Sequence, residues 1–110
     1  MVSCEITDVL NDLARFERVE TTIHGHLYVT GDDRSFLCVD FDGFVSGNGL
    51  PINDGGRIAK QLLNTFPVYG GGPCIYAEEA WITGRISGGV LTSLKRWRIV
   101  RDEYELDEEA

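Results

Sequence analysis

Hydrophobic and polar positions alternate most cleanly over Ala77-Glu78-Glu79-Ala80-Trp81-Ile82-Thr83-Gly84-Arg85-Ile86. Side chains on a strand alternate with a period of two, so Ala80, Ile82, Gly84 and Ile86 share one face and Glu79, Trp81, Thr83 and Arg85 the other. The first face is small or apolar and is expected to point inward. Residues 18–30 read the same way: Ile23, Gly25, Leu27 and Val29 lie opposite Thr22, His24, His26, Tyr28 and Thr30. The polar turn Gly31-Asp32-Asp33-Arg34 then leads into a return strand from Ser35 to Phe41, which predicts a hairpin. Asp42-Gly43 and Asn48-Gly49 are turn dipeptides, and the fragments Phe44-Val45 and Leu50-Pro51-Ile52 leave room for a short third strand. After Ser87-Gly88-Gly89 a last strand is expected from Leu91 to Glu103. Lys95, Trp97 and Ile99 are nominally inward there, and Arg96, Arg98 and Val100 outward; a slip of one residue would exchange them.

Two stretches carry the helical period instead. Ile6, Val9, Leu10, Leu13 and Phe16 fall on one face of a helix over 3–16, with Ser3 or Thr7 as the cap. Ile58, Leu62, Leu63 and Phe66 give the buried stripe of a second helix over 55–66, with Arg57, Lys60, Gln61 and Asn64 on its wet side. Asp54 would cap that helix and Pro67 end it; Gly70-Gly71-Gly72-Pro73 reads as a loop.

The resulting order is helix, three strands, helix, two strands. The chain resembles the OB-fold superfamily in this pattern: the glycine-bearing first strand His24-Gly25-His26-Leu27-Tyr28-Val29, the helix 55–66, and the strand Trp81-Ile82-Thr83-Gly84-Arg85-Ile86. The resemblance implies an α+β, mainly β fold: a five-stranded Greek-key barrel with a helix between the third and fourth strands, plus an extra N-terminal helix. One domain is expected over 1–101, followed by an acidic tail over 102–110.

Charge changes the picture in one respect. The net charge of −8 is mostly terminal, because residues 102–110 hold six acids and no base while residues 1–101 hold twelve acids and ten bases. A solvated tail is expected, serving solubility or competing for a basic partner. Cys4, Cys38 and Cys74 are odd in number and form no CxxC pair, which predicts free thiols rather than a disulfide framework or zinc knuckle. No apolar run reaches 18 residues, and the first five residues lack the basic-then-apolar pattern of a signal peptide, so a cytoplasmic location is expected.

Candidate chemistry is sparse. His24 and His26 share a strand face but lack a third ligand nearby, and no metal or other cofactor is expected. Glu78 and Glu79 point to opposite faces and make a poor acid–base pair, Asp40 and Asp42 more naturally flank a turn, and no Gly-x-Ser-x-Gly or phosphate loop occurs. An enzyme is therefore not expected. In size, acidity and want of a catalytic pattern the chain is similar to the bacterial immunity proteins that neutralise secreted toxins. That likeness implies steric capture of a basic protein, with Asp32, Asp33, Asp40, Asp42, Glu78 and Glu79 standing in for substrate phosphate. The alternative is single-stranded nucleic-acid binding through Tyr28, Trp81, Arg85, Arg96 and Arg98, as an OB-fold would do it. A third reading is an assembly subunit docking through its N-terminal helix.

Overall fold

The computed structural model describes residues 2–31, 34–53, 55–65, 74–101 and 104–109. The chain runs β1 (Val2–Glu5), α1 (Ile6–Asn11), α2 (Leu13–Phe16), β2 (Glu20–Val29), β3 (Ser35–Cys38), α3 (Phe41–Val45), β4 (Leu50–Pro51), α4 (Gly55–Thr65), β5 (Tyr76–Ser87), β6 (Val90–Arg101) and β7 (Tyr104–Glu109). This is an α+β protein built mainly of strands. They form one open, almost wholly antiparallel sheet in the order β4-β3-β2-β5-β6-β7, with β1 parallel to β2. The five strands expected are therefore joined by two others.

The alternation in β2 and β5 decides the core. Ile23, Leu27, Val29, Ala80, Ile82 and Ile86 are fully buried, and helix α4 adds Ile58, Ala59 and Leu62. One edge of β2 serves two strands: Thr21 to His24 pair with β1, and His26 to Val29 pair with β3. Gly25 stands at the junction, where a β-carbon would lie 2.9 Å from Ile6 Cγ2 and 3.1 Å from the Cys38 carbonyl. Only a residue without a side chain lets both neighbours close in. At the far end, a parallel bridge joins Ile52 to Leu91, and the Asn53 N–H donates to the Leu91 carbonyl at 2.8 Å.

Several expectations need correction. The segment 3–16 is not one helix. Its first residues pair with β2, and the remainder breaks at Asp12 into two short helices. Neither Ser3 nor Thr7 caps α1; the cap position is Glu5, without a side-chain cap bond. Burial followed the helical pattern even so, since Ile6, Val9 and Phe16 are core. Asp42-Gly43 is not a turn but lies inside α3, because the Asp40 carboxylate accepts from the Gly43 N–H at 2.8 Å and nucleates a helix there. The third strand is only two residues long, and Leu63, expected in the buried stripe of α4, is exposed. Asp54, Phe66, Pro67 and the loop Gly70–Gly72 lie outside the described residues.

The nominal register of β6 holds from Arg96 onward, with Trp97 and Ile99 inward and Arg96 and Arg98 outward; Lys95, expected inward, faces out instead. The β5–β6 ladder shifts between Thr83 and Arg85, and Ser93 takes a φ of 51°. This bulge resets the alternation, so Leu91, Leu94, Trp97 and Ile99 all point inward while Lys95 and Arg96 both face out. Trp97 fills the core beneath α4, and its indole N–H donates to Gln61 Oε1 at 2.6 Å. The expected solvated tail is strand β7, paired with β6 from Arg96 to Arg101.

Candidate binding surfaces

Two surfaces collect the candidate residues. The first is the outer face of the sheet. Register places Glu5 beside His24, His24 beside Trp81, and Trp81 beside Arg98, in a lane that crosses β1, β2, β5 and β6. The His24 ring stacks on Trp81 with centroids 4.6 Å apart, and the Arg98 guanidinium lies 4.9 Å from the Trp81 ring centre. Arg98 Nε donates to Glu105 at 2.6 Å, which carries the lane onto β7. One step along, the Thr22 and Thr83 hydroxyls meet at 2.7 Å, and Arg96 makes a two-pronged pair with Asp107 at 2.9 and 2.6 Å. A hollow of about 260 Å³ lies among Thr22, Trp81, Thr83, Arg96 and Arg98. The Arg96 guanidinium holds the Asp107 carboxyl below its ordinary range.

His24 is the most constrained group here. Its Nδ1 lies 2.6 Å from Glu5 Oε2 and its Nε2 lies 2.9 Å from Glu79 Oε2. An ionised carboxylate only accepts, so two carboxylates on the two ring nitrogens favour the imidazolium, in which both nitrogens donate. Burial pulls its pKa down, but the hydrogen bonds it donates to Glu79 and Glu5 outweigh that and the net shift is upward. With the folded pKa above the unfolded one, the stabilisation is complete below the unfolded value and disappears as pH rises through the folded value. The melting temperature of wild type relative to His24→Gln is accordingly expected to be higher near about pH 6 than near about pH 8.5, as followed by circular dichroism. A difference that does not change with pH would show that the ring carries no proton there.

The residues named for nucleic-acid binding all have contacts within the protein. Tyr28 is buried, its ring stacked on Phe44 at 4.8 Å, and burial with Cys38 and Asp40 nearby pushes its hydroxyl up to about 12. The sequence put Tyr28 outward, and it is; what covers it is α3, which had been read as turn and fragment. Arg85 is exposed and donates to the Arg18 carbonyl at 3.0 Å. Arg96 and Arg98 are held by β7, and Trp81 already carries an imidazole and a guanidinium.

Of the six acids proposed for a partner, the four described ones do not gather in one place. Glu78 is 3% exposed and faces the core side, where it takes hydrogen bonds from Arg101, the Nε one at 2.7 Å. It is removed from any surface. Glu79 is committed to His24. Asp32 and Asp33 lie outside the described residues. Asp40 and Asp42 stand exposed on α3 and make no ion pair among the described residues. There the second surface begins, at a groove of about 560 Å³ between α1 and α3, lined by Thr7, Leu10, Asn11, Val39, Gly43, Gly47, Asn48 and Gly49. Beside it Val39, Phe41 and Val45 are 41, 47 and 63% exposed. Sequence reading missed these apolar residues. The alternation Val39-Asp40-Phe41-Asp42 is that of a two-faced strand, which would turn Val39 and Phe41 inward and so conceals their exposure.

His26, the partner of His24 in the HxH pattern, donates from Nδ1 to the Val39 carbonyl at 3.0 Å. Among the described residues no three His, Cys, Asp or Glu side chains gather in a metal-holding group. The three thiols are free, and burial raises all three, Cys38 to about 11, so they stay protonated near neutrality. No helix among the described residues is long and apolar enough to cross a membrane. No family model, curated protein or solved structure matches the chain.

Proposed function

We propose that the protein is a non-catalytic binding module that captures a basic protein partner, of the kind an immunity protein or antitoxin provides, on an OB-like barrel made by β2 to β6. The barrel reading is supported by the pairing order β4-β3-β2-β5-β6 together with the parallel Ile52–Leu91 bridge, which brings the two outer strands of that set together. A cytoplasmic setting suits three free thiols.

One observation carries the functional reading: the bases of the outer face are consumed internally while acids on the α1–α3 side are not. Arg96 and Arg98 pair with Asp107 and Glu105, and Lys95 pairs with Glu20; on the core side Arg101 pairs with Glu78. Asp8, Asp12, Asp40 and Asp42 are exposed and outside any such pair among the described residues. The outward charge on that side is negative, and an opposite field on a partner speeds encounter and selects it. A nucleic acid would instead have to displace β7 carboxylates from the arginines.

Immobilised full-length protein, incubated with an extract of its own host at ~50 mM salt, is expected to retain a basic protein that elutes as salt approaches ~500 mM. Retention of nothing, or of the same chain alone, would sink the reading and favour an assembly role. A Trp81 fluorescence change on adding oligo-dT at ~50 mM salt would favour nucleic acid instead.

A further inference from the structure

We infer that the groove between α1 and α3 is the docking site itself, and that its occupant is a segment of the basic partner in which Lys or Arg alternates with aliphatic side chains. This rests on the protein-capture reading and names its surface.

The argument starts from sequence. Neither segment that lines the groove contains a base: none occurs from Met1 to Ala14, and none from Ser35 to Gly56. The same stretches hold Asp8, Asp12, Asp40 and Asp42, all exposed. Asp8 belongs to a neighbouring hollow that it shares with Arg15 and His24. The acids adjoining the groove are Asp12, next to Asn11 of its lining, and Asp40 and Asp42, at the start of α3 before Gly43, and neither wall supplies a competing cation. Asp40 uses one oxygen to cap α3 at Gly43, so the capped helix presents Asp42 and the remaining Asp40 oxygen in fixed positions.

The groove is also shaped for a chain and not for an ion. Gly43, Gly47 and Gly49 contribute backbone without side chains to its lining. Gly47 has a φ of +77°, and a β-carbon at Gly49 would lie 2.5 Å from the Cys38 sulfur, so glycine is required at both positions. Half-buried Leu10 and exposed Val39 provide apolar wall, and α3, which contributes Gly43 to the lining, also carries the exposed Phe41 and Val45. An aliphatic side chain gains by covering them, while a Lys or Arg beside it reaches the aspartates. A purely apolar occupant would leave the acids unanswered, and a purely basic one would leave Phe41 and Val45 wet.

A synthetic peptide of alternating Lys and Leu is the probe, titrated into the isotope-labelled full chain with backbone amides observed by NMR. Saturable shifts are expected at Asn11, Gly43, Gly47, Asn48 and Gly49. Asp42→Lys and, separately, Val45→Asp should each weaken binding on the order of tenfold, and Leu63→Asp, at an exposed apolar residue of α4, should not. Shifts that map elsewhere, equal binding of a Glu–Leu peptide, or indifference to both α3 substitutions would overturn the groove assignment. So would a concentration-dependent dimer whose contact occupies these residues, since the groove would then belong to a second copy. If the peptide maps elsewhere while the extract still yields a basic protein, the groove is wrong and the capture reading stands. If the peptide maps here but no basic protein is retained, the capture reading fails.

Discussion

Arg101→Ala is expected to destabilise the protein by about 3–5 kcal/mol. The partner left behind is the reason. Glu78 sits on the inward side of β5 with its side chain 2% exposed, and the Arg101 side chain that answers it is 13% exposed. The guanidinium also lies 5.7 Å from the Tyr76 ring centre, closing that end of the core. Removing Arg101 leaves a carboxylate out of water with its main countercharge gone, which costs far more than the pair contributes net. Replacing both, as Glu78→Leu with Arg101→Met, should recover stability to within roughly 1 kcal/mol of wild type. Urea unfolding of the three proteins checks this. A single-mutant loss under roughly 1 kcal/mol would mean that water reaches Glu78 and the pair is a surface one.

Trp97→Ala should cost a similar amount, about 3–5 kcal/mol, for a different reason. Trp97 is 1% exposed, its indole bonds to Gln61 on α4, and the Arg57 guanidinium stacks 5.5 Å from its ring centre. Trp97 leads the fully buried side chains in volume and lies against α4, and alanine would leave a cavity that the packed surroundings cannot close. Trp97→Phe keeps most of the volume but drops the hydrogen bond, and should lose less, about 1–2 kcal/mol. Thermal unfolding separates the pair: the alanine variant should melt well over 10 °C lower. If phenylalanine and alanine are equally harmful, the bond to Gln61 matters more than the volume.

The parts of the fold that were legible in the sequence are those whose partners impose a local period. Ile23, Leu27, Ala80, Ile82 and Ile86 alternate because each strand has one buried face, and that face is written residue by residue. Strands β1 and β7 were not legible because their pairing is decided by another strand's edge. Glu105 and Asp107 look like solvent-facing tail until Arg98 and Arg96 stand across from them. The bulge at Ser93 was not legible, and it turns Leu94 inward and Lys95 outward while Trp97 and Ile99 keep the alternation written in the sequence. Of the acids that charge alone picks out, Asp40 and Asp42 are exposed, whereas Glu78 is buried against Arg101, 23 residues later.

The central claim divides the acids into two sets: those that neutralise the protein's own arginines and those that meet a partner. The direct measurement is partner retention from host extract by three full-length proteins: wild type, Asp42→Lys, and the double variant Glu105→Gln with Asp107→Asn. The expected result is that the β7 double variant keeps the basic partner at wild-type strength while Asp42→Lys loses it by on the order of tenfold. Loss on neutralising β7 with Asp42→Lys unaffected would contradict the division and move the binding surface to the outer face of the sheet.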